Sequence, residues 1–260
     1  MSEISKEDRL LLAQVEDKKR MCENQYVLAT SEFLDLRQRS MVEAEFRFDR
    51  SLQFYGGYDD AERAIAVFVP EYIEGNISDY FAENEEDCPM VCMSIHTAKG
   101  SRKLSHRDYL GSLTGMGLRR EKIGDILVRE DGADIFILKD IADFLKFNYE
   151  KAGRTSLKID ITQIGDVTLP KQEFKEITDT VASLRLDSVL SSAFGLSRAK
   201  AAEAVRRGIV FVNSGQIEKP DFNVKEGDRL VIRGMGKARL REIGGRSRKD
   251  RIYIRIEKYL

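Results

Sequence analysis

The amino-acid sequence predicts an α+β protein in three successive parts, residues 1–80, 81–170 and 171–260. Helical and strand periods of apolar residues both occur along the chain. The middle part places its elements in the order β-α-β-β-α-β, and the third part places a helix pair before short strands. Charge is also divided unevenly: residues 1–180 hold 25 Lys and Arg against 35 Asp and Glu, whereas residues 181–260 hold 18 against 9. This basic end predicts a polyanionic partner.

The composition excludes several classes of protein. Apolar residues make up 42% of the 260 residues, which is enough for hydrophobic cores and too many for a disordered chain. The longest wholly apolar run, Ala64–Val69, is far shorter than the ~20 residues of a membrane helix. The polar N-terminus is unlike a signal peptide, and three cysteines give no disulfide framework. We therefore expect a cytoplasmic protein without a membrane partner.

The first part is an N-terminal α/β region. It opens with a helix that Ser5 caps. A second helix is predicted to begin after Thr30–Ser31, and two strands bend apart around Gly56–Gly57, because glycine pairs allow turns. The second helix is expected to carry Phe33, Leu34, Met41 and Val42, and the strands to span Leu52–Tyr55 and Ala64–Val69.

The middle part has the element order of the ferredoxin-like fold. Asp131–Gly132 is a hairpin signal between its second and third strands. We therefore predict a central ferredoxin-like domain. Its elements are expected at Met90–His96, Ser105–Met116, Ile123–Arg129, Asp134–Leu138, Asp140–Lys151 and Leu157–Thr162.

The third part begins near Phe174 and is predicted to dock two helices on a short sheet. Ser197 caps the second helix, and Gly208 ends it. The helices are expected at Leu184–Ala193 and Arg198–Arg207, and the strands at Ile209–Val212, Arg229–Arg233 and Arg251–Glu257.

The third part also carries a recognisable string of residues. It resembles the RNA-binding domain first seen in ribosomal small-subunit protein four, and the resemblance implies an S-four-like (αL) RNA-binding domain. The sequence departs from the common pattern at one position, because Ser214 separates the usual Asn from its Gly within the turn. The string is Arg185-Leu186-Asp187-x-x-Leu190, Gly195, Ser197-Arg198-x-x-Ala201, Gly208-x-Val210-x-Val212-Asn213, Lys219-Pro220 and Val224-x-x-Gly227-Asp228.

Two further strings resemble the YlmH family, so the resemblance covers nearly the whole chain. The resemblance implies ribosome-associated RNA binding in bacteria. Members of the family have been connected both to division gene clusters and to rescue of stalled large subunits that carry peptidyl-tRNA. The strings are Ser105-His106-Arg107-Asp108-Tyr109-Leu110-Gly111 with Gly117 and Arg119-Arg120-Glu121-Lys122-Ile123-Gly124-Asp125-Ile126, and Gly56-Gly57-Tyr58 with Ala61-Glu62-Arg63.

The second helix of the third part is the main candidate RNA-binding element. A backbone phosphate fits at its N-terminus, where free N–H groups and the Ser197 hydroxyl converge, and Arg198 can add a bidentate contact. Asp187 is expected to cap a helix or to orient an arginine. The alternative is that Ser197 merely caps the helix and that the arginines form a solvated face. The candidate residues are Arg185, Ser197, Arg198, Lys200, Arg206, Arg207, Asn213 and Lys219.

The tract Lys237–Lys258 is the most basic in the chain. The glycines in its first half predict a flexible loop that settles on a phosphate backbone and releases counterions. A solvated charge run is again the alternative. The candidates from this tract are Arg246, Arg248, Lys249 and Arg251.

The middle part supplies a second basic cluster. His106 and Arg107 lie at a predicted helix start, which favours phosphate. Ion pairing within the acidic body, such as Arg120 with Asp125, is an equal alternative. Because its strands lack a run of aromatic residues for base stacking, we expect recognition of RNA shape and backbone. The candidates are His106, Arg107, Arg119, Arg120 and Lys122.

No catalytic residue, metal site or cofactor is predicted. Cys88, Cys92 and His96 have metal-like spacing, but each four-residue step of a strand spans about 13 Å, too far for one zinc ion. This RNA-binding module is often joined to pseudouridine synthases, whose loop needs a catalytic Asp. The nearest string, Gly153-Arg154-Thr155-Ser156-Leu157, lacks that Asp.

The sequence therefore predicts a non-catalytic protein that binds ribosomal RNA of the ribosome, with tRNA as a further candidate partner. It indicates no particular oligomeric state. A rival hypothesis is a protein–protein adaptor linked to bacterial cell division, with the acidic N-terminal half as its working surface. A second alternative is an RNA-modifying enzyme of the pseudouridine-synthase type.

Overall fold

The computed structural model describes residues 5–98, 100–167 and 173–259. The chain divides into two compact units, Met1–Pro170 and Lys171–Leu260. The predicted boundary between residues 170 and 171 lies outside the described residues. None of the helices in these ranges is long and apolar enough to cross a bilayer.

The N-terminal region contains a three-stranded antiparallel sheet with strand order β1-β3-β2. Ser5 caps the first helix, since its hydroxyl accepts the Asp8 N–H at 3.0 Å. The carboxylate of Asp8 pairs in turn with Arg37 of the second helix. The elements are α1 (Lys6–Gln25), β1 (Ala29–Leu34), α2 (Leu36–Glu45), β2 (Leu52–Tyr55), β3 (Ala64–Phe68) and α3 (Ile77–Glu83).

The predicted placement of Phe33 and Leu34 on a helix is wrong. Both lie buried on β1, which pairs with β3. The helix begins later because Asp35 and Gln38 form the capping box that starts α2, with both hydrogen bonds at 2.8 Å. Ser31 instead accepts the Ala66 N–H where the ladder between the two strands is irregular.

The central region follows the order β-α-β-β-α-β, with a short extra strand before the last. Its sheet has strand order β5-β6-β4-β8-β7, and every neighbouring pair is antiparallel. One face packs against α4 and α5 through Tyr109, Leu113 and Leu145. The elements are β4 (Met90–Thr97), α4 (His106–Gly115), β5 (Ile123–Val128), β6 (Gly132–Leu138), α5 (Ala142–Asn148), β7 (Lys151–Ala152) and β8 (Thr155–Thr162).

A single core joins the N-terminal and central regions. Phe33 and Ile65 of the first sheet pack with Met90 and Phe136 of the second, and all four are fully buried. This core crosses the predicted boundary at residue 80, because the face of the central sheet that its helices leave open is covered by the N-terminal region.

Asp125 also ties the two regions together. Its carboxylate accepts hydrogen bonds from the Tyr58 hydroxyl and the Glu62 N–H, both at 2.7 Å, and from the Arg63 N–H at 3.0 Å. Burial, and then the negative charge of Asp125, raise the pKa of the Tyr58 hydroxyl well above its ordinary value, so the hydroxyl stays a donor.

The Arg63 side chain also joins the N-terminal and central regions. It donates to the carbonyl oxygens of Ile123 at 2.9 Å and Phe33 at 3.0 Å. Burial lowers the pKa of Arg63, and the nearby carboxylates of Asp35 and Asp125 oppose that shift. We call this set of contacts the Arg63–Asp125 latch. The motif Ala61-Glu62-Arg63 therefore has a structural role in joining the two regions.

At Gly124 the central sheet lies close against Phe33 of the N-terminal sheet. A Cβ atom at this position would lie 2.7 Å from the ring of Phe33. We therefore expect Gly124→Ala to lower the free energy of unfolding by about 2 kcal/mol, in the range typical of overpacking. Urea unfolding of the two proteins measures this loss. Gly115→Ala is the control, because a Cβ there meets nothing within 4 Å. If Gly124→Ala left the free energy of unfolding unchanged, the close packing against Phe33 would be contradicted.

The C-terminal unit docks a helix pair on a six-stranded antiparallel sheet with order β11-β10-β12-β13-β14-β9. Leu186, Leu190 and Val205 of the helices are fully buried against Leu230 and Leu240 of the sheet. The elements are β9 (Phe174–Val181), α6 (Leu186–Phe194), α7 (Arg198–Arg206), β10 (Val210–Val212), β11 (Gly215–Gln216), β12 (Arg229–Ile232), β13 (Gly236–Arg246) and β14 (Ile252–Tyr259).

The predicted flexible basic loop in the tract Lys237–Lys258 is wrong. Gly236–Arg246 forms β13, which pairs with β12 on one side and β14 on the other. Ala238 and Leu240 alternate into the core, and this burial outweighs the weak strand preference of the glycines. Across the ladder, Arg241 pairs with Glu257, which removes part of the free charge.

Candidate nucleic-acid interface

A buried carboxylate organises the start of the helix pair. Asp187 is 4% exposed, and its oxygens lie 3.2 Å from Nε of Arg185 and 3.3 Å from Nε of Arg198. Burial alone would raise the pKa of Asp187, but the hydrogen bonds from the two arginines outweigh it and hold the pKa below its ordinary value. Asp187 therefore orients arginines, as the sequence led us to expect.

The two arginines keep donors at the surface. The side chains of Arg185 and Arg198 are 37% and 54% exposed. Each guanidinium has five N–H donors, of which the contacts with Asp187 use only some. Two arginines share one carboxylate, so this cluster carries a net positive charge. Such fixed, planar groups suit the bidentate recognition of phosphate.

α7 extends the positive charge along the surface. Ser197 caps the helix by accepting the Lys200 N–H at 3.3 Å, as predicted. Ala201 and Val205 are buried, whereas Lys200, Arg206 and Arg207 are exposed. Glu203 is the acidic residue on this helix.

A loop closes the N-terminus of α6. The Leu186 N–H donates to the Phe222 carbonyl at 2.7 Å, and the Asp187 N–H donates to the Pro220 carbonyl at 3.1 Å. The exposed Lys219 therefore lies on a loop docked where α6 begins. We call the cations at the surface of this region, whether exposed or half-buried, the α6–α7 surface. It comprises Arg185, Arg198, Lys200, Arg206, Arg207 and Lys219.

Asn213 has a structural role that its candidacy as an RNA contact did not anticipate. Its side-chain amide donates to Asp228 at 2.7 Å and accepts the Arg229 N–H at 2.9 Å. Asn213 and Ser214 have φ of 51° and 73°, and two successive positive φ values are typical of the two-residue type I′ hairpin. The departure at Ser214 therefore preserves a tight turn.

The residues of the β13–β14 hairpin divide into two groups. Arg246 pairs with Asp250 at 2.7 Å, and Arg251 donates to Thr180, at 3.0 Å to its hydroxyl. These two side chains support the hairpin. Arg248 and Lys249 are exposed at its tip, with no ion pair to the residues that the structure describes.

Three central candidates are engaged within the protein. Arg119 forms an ion pair with Glu32, and Lys122 pairs with the same carboxylate at 3.2 Å and with Asp140. Arg120 turns inward and donates to backbone carbonyls, including that of Gly124 at 3.2 Å. Burial, and then the nearby Arg63, lower the pKa of Arg120 to about 10.

The alternative of pairing within the acidic body thus holds for Arg119 and Lys122. Arg120 pairs with carbonyl oxygens, and the expected ion pair with Asp125 does not form as a direct contact because Asp125 serves the Arg63–Asp125 latch. Arg120 and Lys122 are therefore less accessible than Arg119, whose side chain is 63% exposed, and all three remain predictions as RNA ligands.

The start of α4 remains accessible. Ser105 and Asp108 form a capping box. Arg107 is exposed, and no ion pair engages it within the described ranges. Desolvation of the His106 ring, together with Arg120, lowers the pKa of His106, so this ring is neutral at pH 7. Arg107 therefore supplies the positive charge here.

The cysteines do not form a metal site within the part of the chain that the structure describes. Cys22, Cys88 and Cys92 are all free and buried. Burial raises the pKa of the Cys92 thiol to about 12, so it stays protonated. Among the described residues, no group of three His, Cys, Asp or Glu could hold a metal ion.

Asp187 supports a prediction about pH. Because its pKa is lowered in the folded protein, it stabilises the fold above the ordinary value of 3.8, and this contribution is lost as the pH falls through the folded value. Asp187→Asn should therefore lower the free energy of unfolding by about 1 kcal/mol at pH 7. Urea unfolding at a series of pH values should show the two proteins converging in acid. A constant difference at all pH values would contradict this role.

Comparisons with known proteins match the central region and the C-terminal unit of this chain to two family models. A family model described as "Putative RNA-binding domain in YlmH" matches residues 83–169, and the model of the S4 domain matches residues 184–230. The chain is 34% identical over 254 residues to "Ribosome-associated protein quality control protein P2" of Bacillus subtilis (strain 168). That alignment covers 97% of this chain and 96% of the relative.

A solved structure also resembles the chain. "Cell division protein ylmH from Streptococcus pneumoniae" is 20% identical, with a TM-score of 0.48, and the match covers 65% of this chain and 99% of that chain. The Bacillus relative matches nearly end to end, and the two family models occupy the regions that the sequence motifs indicated. The chain therefore belongs to the YlmH family.

Proposed function

We propose that this chain is a cytoplasmic, non-catalytic protein that binds ribosomal RNA through the α6–α7 surface. The buried carboxylate of Asp187 is the observation that carries the proposal, because it holds Arg185 and Arg198 in fixed positions with donors exposed. Pre-positioned arginines lose less conformational freedom when they bind phosphate. The match of residues 184–230 to the S4 domain supports the same surface.

We further propose that the ribosomal partner is a stalled large subunit that carries peptidyl-tRNA. The name of the Bacillus relative places that protein in ribosome-associated quality control. Under this proposal tRNA is a second RNA partner of the chain. Two RNA-binding regions on one chain raise avidity without tight contacts at either one.

Co-sedimentation with purified bacterial ribosomal subunits tests the proposed function. The full chain should pellet with large subunits at low salt, and its apparent Kd should weaken steeply as salt rises, because bound cations release counterions from RNA. Pelleting with the large subunit should increase when the subunit carries peptidyl-tRNA.

A nuclease control separates RNA binding from protein binding. If binding depends on RNA, ribosomal partners captured by the full chain should be lost after digestion with ribonuclease. Partners that survive digestion, combined with binding that does not respond to salt, would contradict the proposed function and support the protein–protein adaptor.

A further inference from the structure

A groove of about 750 Å³ lies between α4 and the turn that joins β7 to β8. α4 forms one wall, and the hairpin of β7 and β8 forms the other. A groove of this size is in the range that holds a small ligand or part of a larger one. Its lining includes Arg102, Arg107 and Asp108 on one side and Gly153, Arg154 and Thr155 on the other.

Three arginines line this groove with one carboxylate. Arg102 lies 2.8 Å from Asp108, whose carboxylate also accepts hydrogen bonds from Ser105. Those bonds, with the one from Arg102, hold the pKa of Asp108 below its ordinary value, so its charge is fixed. Arg107 on α4 and Arg154 on the hairpin turn have no ion-pair partner among the described residues. The groove therefore has a net positive charge.

The walls of the groove are low. A Cβ atom at Gly111 or at Gly153 would meet nothing within 4 Å, and the backbone of Gly153 has φ of +60°. Leu104 and Ala152 are buried beside them and give an apolar floor. A chain with regularly spaced phosphates can therefore approach the backbone closely beside the arginines.

We propose that this groove binds a phosphodiester segment of the same RNA partner, with Arg107 and Arg154 as ligands of the phosphate. This inference rests on the proposed function, and it gives the central region a site of its own, distinct from the α6–α7 surface. Guanidinium groups on two facing walls can both donate to one phosphate or to two successive ones. An acidic protein segment is the occupant that the test must exclude.

A steric variant tests the groove without changing any charge. Gly111→Leu fills the space beside α4, and leucine is a better helix former than glycine, so the fold should survive. We expect it to weaken binding of the full chain to purified ribosomal subunits by roughly fivefold, because a bulky side chain keeps the RNA from its closest approach. Gly115→Leu on the same helix is the matched control, because that position has equal space and does not line the groove. Equal binding by both variants overturns the proposal.

A charge variant tests the arginines separately. Arg154→Glu should weaken binding by roughly tenfold and reduce its salt dependence. Lys146→Glu makes the same change in net charge at an exposed position of α5, outside the groove. It should weaken binding much less. If the two variants lost the same amount of binding, the effect would be one of overall charge, and the proposal that the groove binds RNA would be overturned.

A photocrosslink identifies the occupant. A benzophenone amino acid in place of Thr155 lies in the groove, and the same group in place of exposed Thr114 lies outside it. The Thr155 probe should crosslink to ribosomal RNA on bound subunits, and the Thr114 probe much less. Crosslinks to ribosomal protein, or none while the chain still pellets, overturn the groove and leave the proposed function standing. If the unmodified chain does not pellet with the subunits, both the groove proposal and the proposed function are contradicted.

Discussion

Replacing both Arg198 and Arg206 with Ala is expected to weaken binding of the full chain to ribosomal subunits by roughly 30-fold. Each lost contact of a guanidinium with phosphate costs about 1 kcal/mol, and two such losses correspond to that factor. The slope of log Kd against log salt should also fall by about 2, because each lost phosphate contact lowers it by about 1. Co-sedimentation across a salt series measures both quantities.

This double variant should keep its fold. Arg206 is exposed, and when Arg198 is removed Asp187 remains paired with Arg185 at 3.2 Å. The control replaces Arg20 and Lys146 with Ala, which removes the same charge from exposed positions in the other unit. Binding that is weakened equally by the control would show that overall charge matters more than the α6–α7 surface.

Replacing Asp125 with Ala is expected to lower the free energy of unfolding by about 3 kcal/mol. The change removes the acceptor for the Tyr58 hydroxyl and for the N–H groups of Glu62 and Arg63. It also removes a negative charge that favours the charged form of Arg63. Loss of one member of a partly buried network costs more than the net value of its bonds, because the buried partners are left unsatisfied. Urea unfolding of the full chain measures this loss.

Asp160→Ala is the control for this prediction. Asp160 is exposed on β8 and lies 3.8 Å from Lys158, so its removal should change stability by less than about 0.5 kcal/mol. If Asp125→Ala were as stable as the control, the Arg63–Asp125 latch would not hold the N-terminal and central regions together.

Local signals in the sequence were sufficient to locate most helices. The hydroxyls of Ser5 and Ser197 cap the helices that follow them, as predicted. The strand over Phe33 and Leu34 was missed because its partner β3 is about 30 residues away, and a helical spacing nearby competed with it. β13 was missed because its glycines indicated a loop, whereas pairing on both sides decides its conformation.

The candidate site was partly accessible from sequence. The pattern around Asp187 and Arg198 indicated a basic helix pair, and the structure adds the contacts that orient the two arginines. The sequence indicated that Arg119 and Lys122 could form ion pairs but did not identify Glu32 as their partner, because Glu32 is distant in the sequence. No local pattern in the sequence shows that Arg154 faces α4 across a groove, because the two elements meet only in the folded structure.

The central claim is that arginines of the α6–α7 surface contact RNA directly. Ultraviolet crosslinking of the full chain on bacterial large subunits, followed by mass spectrometry of the crosslinked peptides, tests it most directly. We predict RNA-linked peptides within residues 185–207 and around Lys219. If the chain remains bound but crosslinks lie only in the acidic N-terminal part, residues 5–98, with none in the α6–α7 surface, the claim that this surface contacts RNA would be contradicted.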